Sequence, residues 1–193
     1  GAYWSSLFVH RGLSYLLGTS AQYGSIVIRR SADGGATWSK PVDEENGLLF
    51  RGGHHDEPPN YHSAPMPVLH HENRIYRAFE NWDPVVSDFT ATVLSVAEDA
   101  DLLKSSNWRK SNEVRYACDA APPELRDCGW LEGNMVVDPE GNLCDILRVW
   151  QNPVLNKAAI LRVEQDGRAL STDARSLFVD LPGGMSKFTI RRD

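Results

Sequence analysis

The chain has 193 residues, 41% of them hydrophobic, with a formal net charge of −6 and a mean hydropathy of −0.39. That length suits one domain, or part of a larger one, with apolar residues enough for a sizeable core. No apolar run reaches membrane-spanning length, and the basic residues are scattered through an acidic chain, so neither a membrane nor a nucleic acid is an expected partner.

Taken in order, the chain reads as β-strands. Tyr3–Val9 and Ser14–Gly18 flank a turn at Arg11-Gly12, and Ser25–Arg30 makes a third strand. The next stretch is Ser31-Ala32-Asp33-Gly34-Gly35-Ala36-Thr37-Trp38. Ser31 and Asp33 can cap the amides of a tight turn, the glycines allow positive φ, and Trp38 can pack between strands as it opens the fourth. Four antiparallel strands within about forty residues make one propeller blade. Residues 44–62, with Gly52-Gly53-His54-His55-Asp56-Glu57-Pro58-Pro59, read as a long loop of the kind that carries function.

A second unit follows the same plan. Met66–Leu69 and Ile75–Phe79 lie around His71-Glu72-Asn73, and Ala91–Val96 is the third strand. Asp99–Leu103 fits a helical turn, and Trp108 opens the fourth strand. After a Pro-containing loop over 115–130, a third unit has strands at Asn134–Val137, Leu143–Val149, Ala158–Val163 and Ser176–Val179, and Ser186–Arg192 starts another. Residues 28–38 align without gaps to residues 160–170, as a decayed copy with Gln165 in place of Asp33. The expected organisation is one partial propeller domain over 1–193, with blades at about 1–45, 61–115 and 130–182 and a further start at 186–193. An arc of three blades leaves open sheet edges through which copies could self-associate.

The cysteines, 118, 128 and 144, number three. Cys118 and Cys128 bracket a loop and suit a disulfide in a secreted or extracytoplasmic compartment, whereas Cys144 reads as a buried thiol. Gly1 is not a natural start, which leaves room for a removed leader. His54-His55-Asp56 and His70-His71-Glu72 have metal-ligand types, but neighbours on a strand point to opposite faces, so no metal site is expected. The expected chemistry needs no cofactor.

Two segments carry a family resemblance. Ser31, Asp33, Gly35 and Trp38 resemble the Asp-box, the S-x-D-x-G-x-x-W turn of sialidases and related β-propellers. By that resemblance they are structural, at the outer edge and away from the catalytic centre. The run Gly129-Trp130-Leu131-Glu132-Gly133-Asn134 to Arg148 is similar to the sialidase pattern of a glutamate, a two-strand hairpin and an arginine sixteen positions on. The resemblance implies that Glu132 activates a tyrosine nucleophile and that Arg148 clamps a sialic-acid carboxylate. Ser6-Leu7-Phe8-Val9-His10, Tyr61-His62-Ser63-Ala64-Pro65 and Gly183-Gly184-Met185-Ser186-Lys187-Phe188 extend the likeness, to exo-sialidase-like proteins, over nearly the whole chain. Three departures stand against it. Trp4 occupies the place of the first clamp arginine, Gln22-Tyr23-Gly24-Ser25 lacks the acid/base aspartate, and the late tyrosine would fall beyond Asp193.

The expectation is therefore an all-β, sialidase-type Asp-box propeller of about three blades, acting as a glycoside hydrolase on a terminal sugar of a glycan. A neutral sugar stacked on Trp4 fits better than sialic acid. From the residues themselves, Glu80 and Glu132 are the candidate carboxylate pair of such a hydrolase. Arg148, His62, Trp4, Tyr61, Trp130 and Lys187 are the candidates to line the substrate. The missing aspartate favours the other open reading, a non-catalytic carbohydrate-binding or scaffold propeller.

Overall fold

The structure is a computed structural model, and it describes residues 1–53, 57–116, 118–150, 156–173 and 177–191. Alternating apolar residues and short turns build three antiparallel sheets among them. The first is an ordered meander of β1 (Tyr3–His10), β2 (Leu13–Thr19), β3 (Ile26–Ser31) and β4 (Leu48–Phe50). In the second, the long hairpin of β7 (Arg74–Asp83) and β8 (Asp88–Ala97) is the centre. Its inner edge is split into β5 (Asn60–His62) and β6 (Leu69–His71), and its outer edge into β9 (Trp108–Lys110) and β10 (Val114–Arg115). The third sheet runs β11 (Gly129–Val137), β12 (Leu143–Trp150), β13 (Lys157–Glu164), with β14 (Ala169–Thr172) and β15 (Phe178–Asp180) both paired to β13.

The middle sheet is buried on both faces because its strands alternate between two cores. Ile75, Phe79, Leu94 and Val96 pack with Tyr15, Leu17, Ile26 and Ile28 of the first sheet. Tyr76, Ala78, Ala91 and Val93 pack with Trp130, Met135, Leu147 and Leu161 of the third. The sheets are thus held face to face, with β1, β5 and β11 at corresponding inner edges.

Several local expectations are corrected. The fourth strand of the first sheet is Leu48–Phe50, not a run from Trp38. Trp38 closes the turn instead, its indole Nε1 donating to the Gly35 carbonyl at 3.0 Å. Ser39 still meets Arg30 through N–H to carbonyl at 2.9 Å, but Pro41 has no amide with which to extend the ladder. The turn otherwise uses the side chains foreseen. Ser31 Oγ donates to Asp33 Oδ1 at 2.7 Å and accepts the Gly35 amide at 2.8 Å. The hydroxyl and amide of Thr37 donate to Asp33 at 2.6 and 2.9 Å. These contacts, those from Thr37 first, pull the Asp33 carboxyl down to about 2.

In the second unit, Met66–Val68 is irregular and the strand is Leu69–His71, since Pro65 and Pro67 remove two amides. Asp99–Leu103 is a turn, and the short 3-10 segment comes later, at Ser105–Asn107. The 115–130 loop starts inside β10 and holds 3-10 turns at Cys118–Ala120 and Pro123–Leu125. Cys118 and Cys128 are thiols, and the disulfide expected between them is not formed. Residues 186–191 are not a strand, yet they run beside β11, where the Asn134 side chain binds the Phe188 carbonyl at 3.2 Å and the Ile190 amide at 3.0 Å. His54, His55 and Asp56 lie outside the described residues, and His70 Nδ1 sits 2.6 Å from Glu98 Oε1.

Candidate functional site

Two of the inner strands carry the same irregularity. The ladder of β1 to β2 shifts register between Tyr3 and Ser6, and that of β11 to β12 between Leu131 and Asn134. Each shift is a bulge with a non-glycine residue at positive φ, Trp4 at 49° and Glu132 at 62°. That conformation costs on the order of 1–3 kcal/mol for a residue with a Cβ, and such strain concentrates where a side chain must be aimed at a site. The Trp4 bulge is fixed from the neighbouring sheet, by Ser63 Oγ donating to the Trp4 carbonyl at 3.1 Å.

The two bulges bring their side chains to one place. Glu132 Oε2 lies 2.9 Å from Arg148 Nε, and Glu132 Oε1 lies 2.9 Å from Lys187 Nζ. Lys187 Nζ also stands 4.8 Å above the Trp4 ring, a cation–π contact that joins the bulges. The Trp4 ring is 6.1 Å from that of His62. Five sequence candidates, Trp4, His62, Glu132, Arg148 and Lys187, thus form one connected cluster. Trp4 and Lys187 are its exposed members, while Glu132 is buried to 6% exposure.

Glu80 belongs to the layer beneath. It is 1% exposed, its Oε2 lies 3.1 Å from His62 Nδ1, and its Oε1 accepts the Gly133 amide at 3.1 Å. A carboxylate that is ionised only accepts, so with Glu80 in that form the imidazole Nδ1–H is the donor in this contact and Nε2 is the acceptor nitrogen. The remaining two candidates lie elsewhere. Trp130 is fully buried and meets Tyr116 edge-on at 5.0 Å. Tyr61 is buried between the first two sheets, where its backbone exchanges hydrogen bonds with Gly24 at 3.2 Å and its hydroxyl accepts from Lys110 Nζ at 3.0 Å.

The structure adds residues that sequence reasoning missed. Tyr23 and Phe89 flank His62, 6.0 Å and 5.3 Å from its ring, and Trp82 backs them both, stacked on Tyr23 at 6.0 Å and 4.8 Å from Phe89. Trp150 extends this wall at 6.5 Å from Phe89, two residues along β12 from Arg148 and so on the same face. Beneath Gly133 sits Asp145, fully buried, and near it Arg77, also buried, whose guanidinium donates to Ser6 Oγ at 3.0 Å and to the Ala78 carbonyl at 2.6 Å, and also to the Ala64 carbonyl. Burial lowers the Arg77 pKa to about 10 and pushes the Asp145 carboxyl well up. For Asp145 the available signal was a charge set among apolar neighbours, in Leu143-Cys144-Asp145-Ile146-Leu147, whereas Arg77 shares its strand with Arg74, Glu80 and Asp83 and does not stand out.

No protein-family model matches the chain, and no curated protein matches it. Solved structures do. A family 117 glycoside hydrolase from Zobellia galactanivorans has a TM-score of 0.56 and 12% identity, over 88% of this chain and 54% of that one. An exo-beta-1,3-galactanase from Clostridium thermocellum has a TM-score of 0.55 and 14% identity, over 95% and 38%. An endo-arabinase from Bacteroides thetaiotaomicron has a TM-score of 0.53 and 16% identity, over 88% and 53%. These neighbours are propeller glycoside hydrolases, and they are not sialidases. At such identities the likeness is one of fold: the protein is all-β, with the sheet arrangement of that class. The chain spans about half the length of the structures it matches.

Proposed function

We propose that this chain forms part of a glycoside hydrolase that removes a terminal sugar from a glycan, with Glu132 as its catalytic carboxylate. One observation carries the reading. A buried glutamate, aimed by a strained bulge, is paired with two cations, one of which leads on to an exposed tryptophan and, beside that, to a histidine in contact with a buried carboxylate. In this reading Trp4 stacks on an apolar sugar face, Arg148 and Lys187 hold the Glu132 carboxylate in place, and His62 Nε2 carries a proton to or from the sugar. Glu80 acts through His62 as a positioning residue and does not touch substrate, because both of its oxygens are already engaged below the surface. The likeness of Glu132 and Arg148 to the sialidase pattern, and of residues 31–38 to the Asp-box, supports a sialidase-like origin. The aromatic lining and Trp4 favour a neutral sugar.

The experiment is release of reducing sugar from a panel of aryl glycosides and neutral oligosaccharides, with Glu132→Gln beside the wild type. Turnover that falls about 10²–10⁴-fold in the variant is the expected outcome for loss of an acid/base group. One observation favours the second reading, a carbohydrate-binding propeller: Glu132 is held in two ion pairs, and among the described cluster no second carboxylate is exposed beside it. Saturable sugar binding without turnover, surviving Glu132→Gln, establishes that reading and overturns the hydrolase.

A further inference from the structure

Two buried carboxyl groups meet the backbone of Gly133, and they are partnered in opposite ways. Glu80 has a partner on each oxygen, the Gly133 amide on one and His62 on the other. Asp145 has none on either oxygen among the described residues. It stands so close that a Cβ on Gly133 would fall 2.1 Å from its Oδ1. Across its own sheet Asp145 lies opposite Met135 on β11 and Leu161 on β13, which offer it nothing polar from their side chains. The charged groups that act on it are both on β7, Glu80 and Arg77. The Arg77 donors are turned instead to Ser6, Ala64 and Ala78. An ionised carboxylate buried without a hydrogen bond is several kcal/mol less favourable than the neutral acid. Of the two carboxyl groups in this dry layer, the unpartnered one is the one that holds a proton.

We propose that Asp145 is a positioning residue of the site, a carboxylic acid that stays protonated beneath Gly133 and leaves the orientation of His62 to Glu80. Burial, and after it the nearby Glu80 charge, act in the same direction on the Asp145 proton, and Arg77 opposes them. Ionisation of Asp145 would set a second negative charge against Glu80. The Glu80 contacts to Gly133 and His62 would then loosen, and with them the bulge that aims Glu132. The site therefore has a limit on its alkaline side, set by a residue that never meets the substrate. Only the effect on turnover rests on the hydrolase reading, and the protonation state can be measured without it.

The test compares wild type with Asp145→Asn, a variant of the same shape that cannot ionise. Below the ordinary aspartate range, both folded and unfolded wild type hold the proton. As the pH rises past it, the unfolded chain releases the proton and the folded chain keeps it, so wild type loses stability that Asp145→Asn retains. Denaturant unfolding across that range should show the folding constant of the variant gaining on wild type by up to about tenfold per pH unit. Parallel stability curves overturn the proposal. A second measurement needs only wild-type protein: an infrared spectrum with 13C-labelled aspartate should show the carbonyl band of a protonated carboxyl group at neutral pH. Its absence overturns the proposal as well, whether or not the variant folds. Nuclear magnetic resonance of His62 adds the positioning readout, since the Nδ1–H tautomer should persist to higher pH in Asp145→Asn than in wild type. A wild type that binds or cleaves no sugar leaves all three readouts intact and removes only the hydrolase reading.

Discussion

The bulges at Trp4 and Glu132 are the same device filled in two ways. Both interrupt an inner strand, both place a bulky residue at positive φ, and both aim it at one spot. At Trp4 the result is a side chain 39% exposed, its backbone carbonyl fastened by Ser63. At Glu132 it is a carboxylate 6% exposed and gripped by Arg148 and Lys187 over a second buried layer of Glu80, Gly133 and Asp145. The backbone decides where a residue is delivered. What lies beneath it decides whether that residue offers a surface or a reactive group.

The sharpest way to break this comparison is to neutralise Glu132. Glu132→Gln should cost about 10²–10⁴-fold in kcat/KM on any sugar the protein cleaves, with the fold intact by circular dichroism. Loss no greater than that of Trp4→Ala would mean that the two bulges do the same job. The layer below is probed next by Gly133→Ala, whose new methyl must displace the buried Asp145 side chain. Overpacking of that kind should destabilise the fold by about 1–3 kcal/mol in denaturant titration, and Asp145→Asn should not rescue it, since Asn has the same shape.

Trp4→Ala should act on binding, raising KM or the sugar dissociation constant by about tenfold or less, in line with roughly 0.5–1.5 kcal/mol for an aromatic contact. It should leave kcat nearly unchanged, and a kcat effect larger than the KM effect would move Trp4 into the reacting layer. The smallest effect belongs to Asp33→Asn, far along the chain in the turn after β3. The Asp33 carboxyl is held down at about 2 in the folded protein, so its contribution is present above the ordinary aspartate range and is lost as the pH falls toward 2. The melting temperature of wild type should drop more than that of Asp33→Asn over that acid window, with no change in sugar binding at neutral pH.

The two bulges also mark how far the sequence could be read. Glu132, Arg148, Lys187, His62 and Trp4 were legible because each stands in or beside a short, patterned inner strand. Their convergence was not legible, since the contacts Trp4–His62 and Glu132–Lys187 each span more than fifty positions of chain. Tyr61 and Trp130 were misplaced for a related reason. An aromatic near a functional strand can face either side, and the alternation that sends His62 toward Trp4 sends Tyr61 away from it. Glu80 was found, but its role changed once burial showed both of its oxygens engaged.

By itself the sequence determined an all-β chain of successive antiparallel units, because period-two alternation and turn residues act over a few positions and need no distant partner. It also determined the turn at residues 31–38, whose side-chain hydrogen bonds run among its own residues. Only the tertiary structure decided that β4 begins at Leu48, that Cys118 and Cys128 are thiols, and that Asp145 lies without a hydrogen-bond partner among the described residues beneath Gly133. Those outcomes depend on which surfaces the packed sheets bury together, and a charge or a thiol takes its chemistry from what surrounds it.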